Sequence, residues 1–193
     1  MPFILEKQDV IPQLGGCRSV LIVPCRFCPA ASMAVKSNEA YIEFPRRALK
    51  TASYERQITE MKVAFEELGI ETSIFSSRML HQFVLCMWTS RRRRALRDTA
   101  KDFEAVVVMG CEAAVDTVRR ALKTTGCLVM PGMRSEGIMS IQPRFSLPGT
   151  VRLELESVTP FVAAKGRAGT DAGINSVSGP VVSALPEQLS TTH

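Results

Sequence analysis

No apolar run in this 193-residue chain approaches the ~20 residues that a bilayer-spanning helix needs, so membrane insertion is not expected. Six cysteines are too sparse for the disulfide framework of a secreted domain, and residues 1–7 lack the basic-then-apolar plan of a signal peptide. Both absences point to a cytoplasmic chain whose thiols are reduced or metal-bound. No Gly-x-Gly-x-x-Gly follows a strand, no glycine-rich loop ends in Gly-Lys-Ser/Thr, and no His-Glu-x-x-His occurs, so independent nucleotide-driven chemistry is not expected. Charge is nearly balanced: 24 Lys and Arg against 19 Asp and Glu leave +5, too small an excess to imply nucleic acid.

What the chain does carry is strands that end in cysteine. Val20-Leu21-Ile22-Val23-Pro24 runs into Cys25-Arg26-Phe27-Cys28, and Ala105-Val106-Val107-Val108-Met109-Gly110 runs into Cys111. Residues 1–17 read as a lead-in with the turn signal Gly15-Gly16, and residues 18–24 as a buried strand. Residues 28–36 are small and apolar and open a helix, interrupted at Phe44-Pro45-Arg46-Arg47. Over residues 53–68, Ile58, Met61, Val63, Phe65 and Leu68 recur near helical spacing, and Gly69 supplies the stop.

Strands at 70–75, 105–109 and 127–130 then alternate with helices at 91–103 and 112–124, the first of these capped by Thr89-Ser90. Residues 76–88 suit either a short helix or a buried turn, and residues 150–158 add a last alternating strand. Strand-helix-strand repetition of this kind implies right-handed crossovers. The expected fold is therefore α/β, a three-layer domain with a mostly parallel sheet of the flavodoxin/Rossmann-like kind over residues 18–162. From residue 163 onward Gly, Ala, Ser, Thr and Pro dominate, and residues 163–193 read as a flexible tail.

In an open parallel sheet, ligands collect at the carboxyl-terminal edge of the strands. Cys25 follows the first strand while Cys17 precedes it, and eight extended residues separate them by roughly 25 Å, too far to share one ion. Cys127 likewise stands at the start of its strand, opposite the Cys111 edge. Cys86 lies in the segment leaving the strand at 70–75 and can hang over the same edge as Cys25, Cys28 and Cys111. These four thiols form a candidate tetrahedral set for Zn²⁺ or an iron–sulfur cluster. Cys86 and Cys111 also read as small buried hydrophobes, since free cysteine is among the most buried residue types.

The chain resembles a known family in these pieces. A strand ending in Cys-x-x-Cys at residues 20–28, a Gly-Cys after a Val-rich strand at 106–114, and a strand leading into Pro-Gly at 128–132 resemble the cysteine domain found with bacterial methylenetetrahydrofolate reductases. In that family the domain is a MetV-like partner subunit or a carboxyl-terminal extension. The resemblance implies an accessory redox subunit of one-carbon metabolism, docking on a flavin-containing reductase or related one-carbon enzyme and holding zinc or an iron–sulfur cluster. Cys25, Cys28 and Cys111 carry over by motif, and Cys86 with them on less distinctive flanks. Where the family often has a third cysteine four residues after the pair, this chain has Ser32.

Several other groups have competing readings. Cys25 and Cys28 also suit a thioredoxin-like dithiol or sulfur-handling enzyme, with Arg26 and a helix amino terminus acidifying the first sulfur. His81 could replace a cysteine as the fourth ligand. Arg91-Arg92-Arg93-Arg94 with Arg97 makes a dense positive face, more often a solvated surface or a docking patch for an acidic partner than a nucleic-acid site. Glu112, just after Cys111, reads as a base or simply as a favourable first-turn acid. Residues 131–137 read as a loop at the carboxyl-terminal edge whose Arg134 and Glu136 bind a cofactor, small ligand or partner.

Overall fold

A computed structural model of the chain describes residues 2–44, 50–76 and 84–161. In chain order the elements are β1 (Phe3–Lys7), β2 (Ser19–Pro24), α1 (Cys28–Ser37), β3 (Ile42–Glu43), α2 (Ala52–Glu67), β4 (Glu71–Ile74), α3 (Ser90–Ala100), β5 (Ala105–Met109), α4 (Glu112–Leu122), β6 (Leu128–Pro131), β7 (Met133–Ser146) and β8 (Thr150–Pro160). His81 and the tail expected at 163–193 lie outside the described residues.

The chain folds as mixed α/β, with two four-stranded sheets among the described residues. One is parallel in the order β4-β2-β5-β6, and the other is antiparallel in the order β1-β7-β8-β3. Parallel pairing thus accounts for half of these strands, fewer than the alternating pattern leads one to expect. The reason lies in two segments whose partners are remote in sequence. Phe3–Lys7 pairs with β7, Phe3 opposite Ile138, and Pro131-Gly132 continues an extended path where a loop is expected. Gly132 is all that separates β6 from β7. A Cβ there would stand 2.8 Å from Met109 Sδ and 2.9 Å from Val107 Cγ1, so the glycine serves close approach.

In the parallel sheet β2 and β5 are central, and apart from Ser19 their residues are all buried. Continuous Val- and Ile-rich runs are what a strand covered on both faces requires. The helices pack in two pairs, α1 with α2 and α3 with α4, and α1 also packs against β1 and β8. Helix α2 buries Tyr54, Ile58, Met61 and Phe65 at helical spacing and stops at Gly69, whose φ of +77° suits glycine. Ser32, fully buried in α1, ties that helix to β1 of the antiparallel sheet. Its Oγ accepts from the Leu5 amide at 2.9 Å and donates to the Leu5 carbonyl at 3.1 Å.

Beyond the body, β7 and β8 continue as an amphipathic arm. Ile141 stands opposite Leu155, Pro143 opposite Leu153 and Phe145 opposite Val151, while Gln142, Arg144 and Ser146 face Glu154, Arg152 and Thr150. Apolar and polar residues therefore occupy opposite faces, and Phe145 and Leu147 at the tip are largely exposed.

The backbone ties predict a simple ranking in urea denaturation. Ser32→Ala leaves a buried amide of Leu5 without its partner and is expected to cost about 1–3 kcal/mol. Gly137→Ala would place a Cβ 2.4 Å from the Thr159 carbonyl, which is backbone and cannot give way, and is expected to destabilise by about as much or more. Gly15→Ala meets no atom within 4 Å and should stay within about 0.5 kcal/mol of the parent. A Ser32→Ala chain as stable as the parent would remove Ser32 from its joining role.

Candidate metal centre

The strand order reverses direction once. From β2 the chain crosses to β4 on one side, then passes to β5 on the other and on to β6. Connections leaving β2 and β5 therefore diverge, which opens a crevice at the carboxyl ends of those two strands, where ligands of parallel sheets bind. Pro24 is in register with Met109, so Cys25 and Gly110 are the first residues past the two strand ends. The Cys25 amide donates to the Met109 carbonyl at 2.9 Å, and Tyr54, buried in α2, donates its hydroxyl to the same carbonyl at 2.7 Å. A Cβ on Gly110 would lie 3.2 Å from that of Cys25 and 2.7 Å from that of Ala114. Only glycine lets Cys25 and the start of α4 approach this closely.

The four thiols singled out in the sequence come to this edge by different routes. Cys25 is buried behind the strand end, and its sulfur accepts the Leu85 amide at 3.5 Å. Cys28 is the first residue of α1, and Cys111 is the N-cap of α4. Their thiols interact at this edge, Cys28 being raised and Cys111 lowered by the other. Cys86 sits in the single turn Leu85–Met87, exposed to solvent, between β4 and α3. Each of Cys25, Cys28 and Cys86 feels the charge of Cys111. Tyr41 faces the same group and is pushed up to about 12 by burial, with the nearby sulfurs of Cys28 and Cys25 adding to the effect.

The electrostatics separate the thiols. Burial pushes Cys25 up to about 11, only partly offset by the Leu85 and Phe27 amides. Cys111 raises Cys28, and burial adds to it. Cys111 moves the other way, below the ordinary thiol range: Cys28 is the main cause, and the amides of Ala114 and Ala113 at the start of α4 help. Burial raises Cys86. As these side chains stand, no three His, Cys, Asp or Glu residues among those described close around a point as a metal-binding group. The donor set nevertheless fits a soft or borderline metal, being four sulfurs with one already inclined to the thiolate.

The remaining cysteines are elsewhere. Cys17 precedes β2, and Cys127 precedes β6, where its thiol donates to the Ala100 and Phe103 carbonyls at 3.0 and 3.1 Å. Arg26, between the paired cysteines, is buried and holds Glu55 through both carboxylate oxygens, at 2.6 and 3.2 Å. Arg134 and Glu136 lie on β7, in place of the expected loop, and pair with each other at 2.7 Å. Arg134 also borders a cavity of about 210 Å³ with Gln8, Glu112 and Arg119. The Glu112 carboxylate accepts from the Ser135 amide and hydroxyl, which joins α4 to β7 and leaves no free base beside Cys111.

Sequence reasoning did not single out Tyr54, Tyr41, Gly110 or the Leu85 amide. Tyr54 falls on the apolar stripe of α2, where its spacing signals burial but says nothing of the carbonyl it reaches. No protein family, curated protein or solved structure matches this chain.

The Cys28–Cys111 interaction gives a direct test in metal-free, reduced protein. Removing one thiol by Cys28→Ala should raise the Cys111 pKa, so the thiolate ultraviolet absorbance that appears below the ordinary thiol range should move to higher pH. The same early absorbance should vanish in Cys111→Ser. An early thiolate that survives Cys111→Ser would place the acidic sulfur elsewhere.

Proposed function

We propose that this chain is a metal-binding accessory redox subunit, resembling the MetV-like partner of methylenetetrahydrofolate reductases, with Cys25, Cys28, Cys86 and Cys111 as ligands to zinc or an iron–sulfur cluster. What supports the reading is that four thiols from three separate chain segments follow or overhang the ends of β2 and β5 and feel one another's charge. Parallel order β4-β2-β5-β6, with α1/α2 and α3/α4 as separate pairs, supports a three-layer, flavodoxin/Rossmann-like arrangement behind it. The partner is a flavin-containing reductase or related one-carbon enzyme, and the setting cytoplasmic.

A bound iron–sulfur cluster would store and pass single electrons, and a bound zinc would lock the three segments together. The chain's own residues supply the environment. Four sulfurs and a metal carry net negative charge, and α1, α2 and α3 begin without a side-chain cap at this edge, so their amino-terminal dipoles favour that charge. Ser32 stands where the family often carries another cysteine, and its two bonds to Leu5 give it a structural duty instead. That leaves a donor set for one four-thiolate centre.

A dithiol reading of Cys25 and Cys28 has less behind it. An attacking first sulfur needs a lowered pKa, whereas Cys25 is raised and Arg26 is engaged by Glu55. The sulfur that acts most strongly on Cys28 is that of Cys111.

Metal analysis of anaerobically purified protein decides between the two. Near-stoichiometric zinc, or iron with sulfide, is expected. Cys111→Ser should weaken retention by more than the ~10–100-fold typical of supporting residues, while Cys127→Ser should leave it unchanged. Metal-free protein, or equal loss in both variants, would overturn the assignment.

A further inference from the structure

Helix α3 starts with a conflict of charge. Its N-cap is Thr89 and its first residue Ser90, and Arg91, Arg92, Arg93 and Arg94 follow directly, with no acidic residue in the first turn. The amino-terminal end of a helix already carries positive potential, so four arginines there repel both the dipole and one another. Among the described residues no acid relieves them. Asp98, further along α3, pairs with Lys101; on the adjoining α4, Asp116 pairs with Arg120 and Glu112 is held by Ser135. The segment 77–83 contains no acid in its sequence. Among the described residues Arg91, Arg92 and Arg94 have no ion-pair partner, and the Arg93 Nε is buried without a hydrogen-bond acceptor.

The place of this charge matters. The carboxyl end of α3 lies beside Cys127, at the amino-terminal edge of the parallel sheet, so the arginines stand at the opposite edge, with the thiols. Two exposed apolar side chains belong to segments at the same edge. Met87, next to Cys86, is 78% exposed, and Phe27, between Cys25 and Cys28, is 38% exposed. An apolar centre with an arginine flank is the composition of a protein interface, where Met, aromatic residues and Arg are enriched.

We infer that the thiol edge is a docking face for an acidic protein surface with apolar residues at its centre, the arginines of α3 steering it and Met87 and Phe27 making the dry contact. This rests on the reading of the thiols as a metal centre that serves a partner. Such a face brings the partner directly over the cysteines. Steering by exposed charge also makes association fast at low salt and slow once the Debye length drops below ~10 Å. The arginines thus serve the encounter at the expense of the helix that carries them.

Full-length, metal-loaded protein titrated with labelled synthetic peptides tests the inference, with anisotropy as the readout and Trp88, the sole tryptophan and next to the α3 cap, as an internal fluorescence reporter. The probes are a repeated Glu-Glu-Leu peptide, an all-Glu peptide of equal charge and an oligothymidylate of equal charge. The Glu-Glu-Leu peptide should bind tightest. Combined Arg91→Gln, Arg92→Gln and Arg94→Gln substitution should weaken it about tenfold or more at low salt and flatten its salt dependence. The same variant should melt no lower than the parent, because the first-turn repulsion is relieved. Met87→Ser should weaken the leucine-containing peptide alone. Preference for the oligothymidylate with Met87→Ser silent would make the face a nucleic-acid site and overturn the inference, as would indifference of all probes to the arginine substitutions. Metal content measured on the same samples separates the two claims: full metal without peptide binding sinks the docking face alone, and intact peptide binding without metal sinks the metal reading alone.

Discussion

The hydrogen bond from the Cys25 amide to the Met109 carbonyl closes the seam between β2 and β5, and the placement of the thiols depends on that seam. It is the last rung of a parallel ladder whose residues are nearly all buried on both faces, so a slip would misfit close-packed side chains on both sides of the sheet. With the register fixed, the first residue beyond each strand is fixed too: Cys25 on one side, Gly110 on the other. Tyr54 doubles the load on the same carbonyl from α2, and the bare Cα of Gly110 lets α4 begin close against Cys25. Distant segments of chain are brought together by backbone geometry before any sulfur takes part.

Bringing thiols together has an electrostatic cost that the fold distributes. Burial alone would keep every one of them protonated, as it does Cys25. Only Cys111 escapes, because a neighbouring thiol and the amides at the start of α4 solvate its charge. A metal ion would extend that compensation to the remaining sulfurs. The helices contribute in the same sense, since each begins at the carboxyl-terminal edge and turns its positive end toward it.

Much of this was legible in the sequence because strand ends are legible. Continuous runs such as Val20 to Val23 and Val106 to Val108 can only be strands buried on both faces, and the residues following them must emerge at one edge. The stop at Gly69 was equally readable, since its positive φ needs glycine. What local pattern could not reveal was pairing over distance. Phe3–Lys7 is five residues long, and the strand that makes it a strand begins at Met133. Pro131-Gly132 looked like turn chemistry, yet Gly132 is there for the close approach of Met109 and Val107. That misreading placed Arg134 and Glu136 on a loop when they are neighbours on one face of β7. For the same reason the neighbour of Cys28 was hidden: its own motif points to Cys25, whereas the parallel pairing of β2 with β5 brings the segment of Cys111 to the same edge.

The central claim is that these four cysteines, and no other residues, can surround one metal. X-ray absorption spectroscopy of the metal-loaded protein tests it most directly, because the scattering of the first shell reports which elements surround the metal and how many. An all-sulfur shell of four cysteine ligands to zinc, or of cysteine and sulfide sulfurs around iron, is the predicted result. A shell containing nitrogen or oxygen, or one unchanged when Cys111 is replaced by serine, would contradict the account.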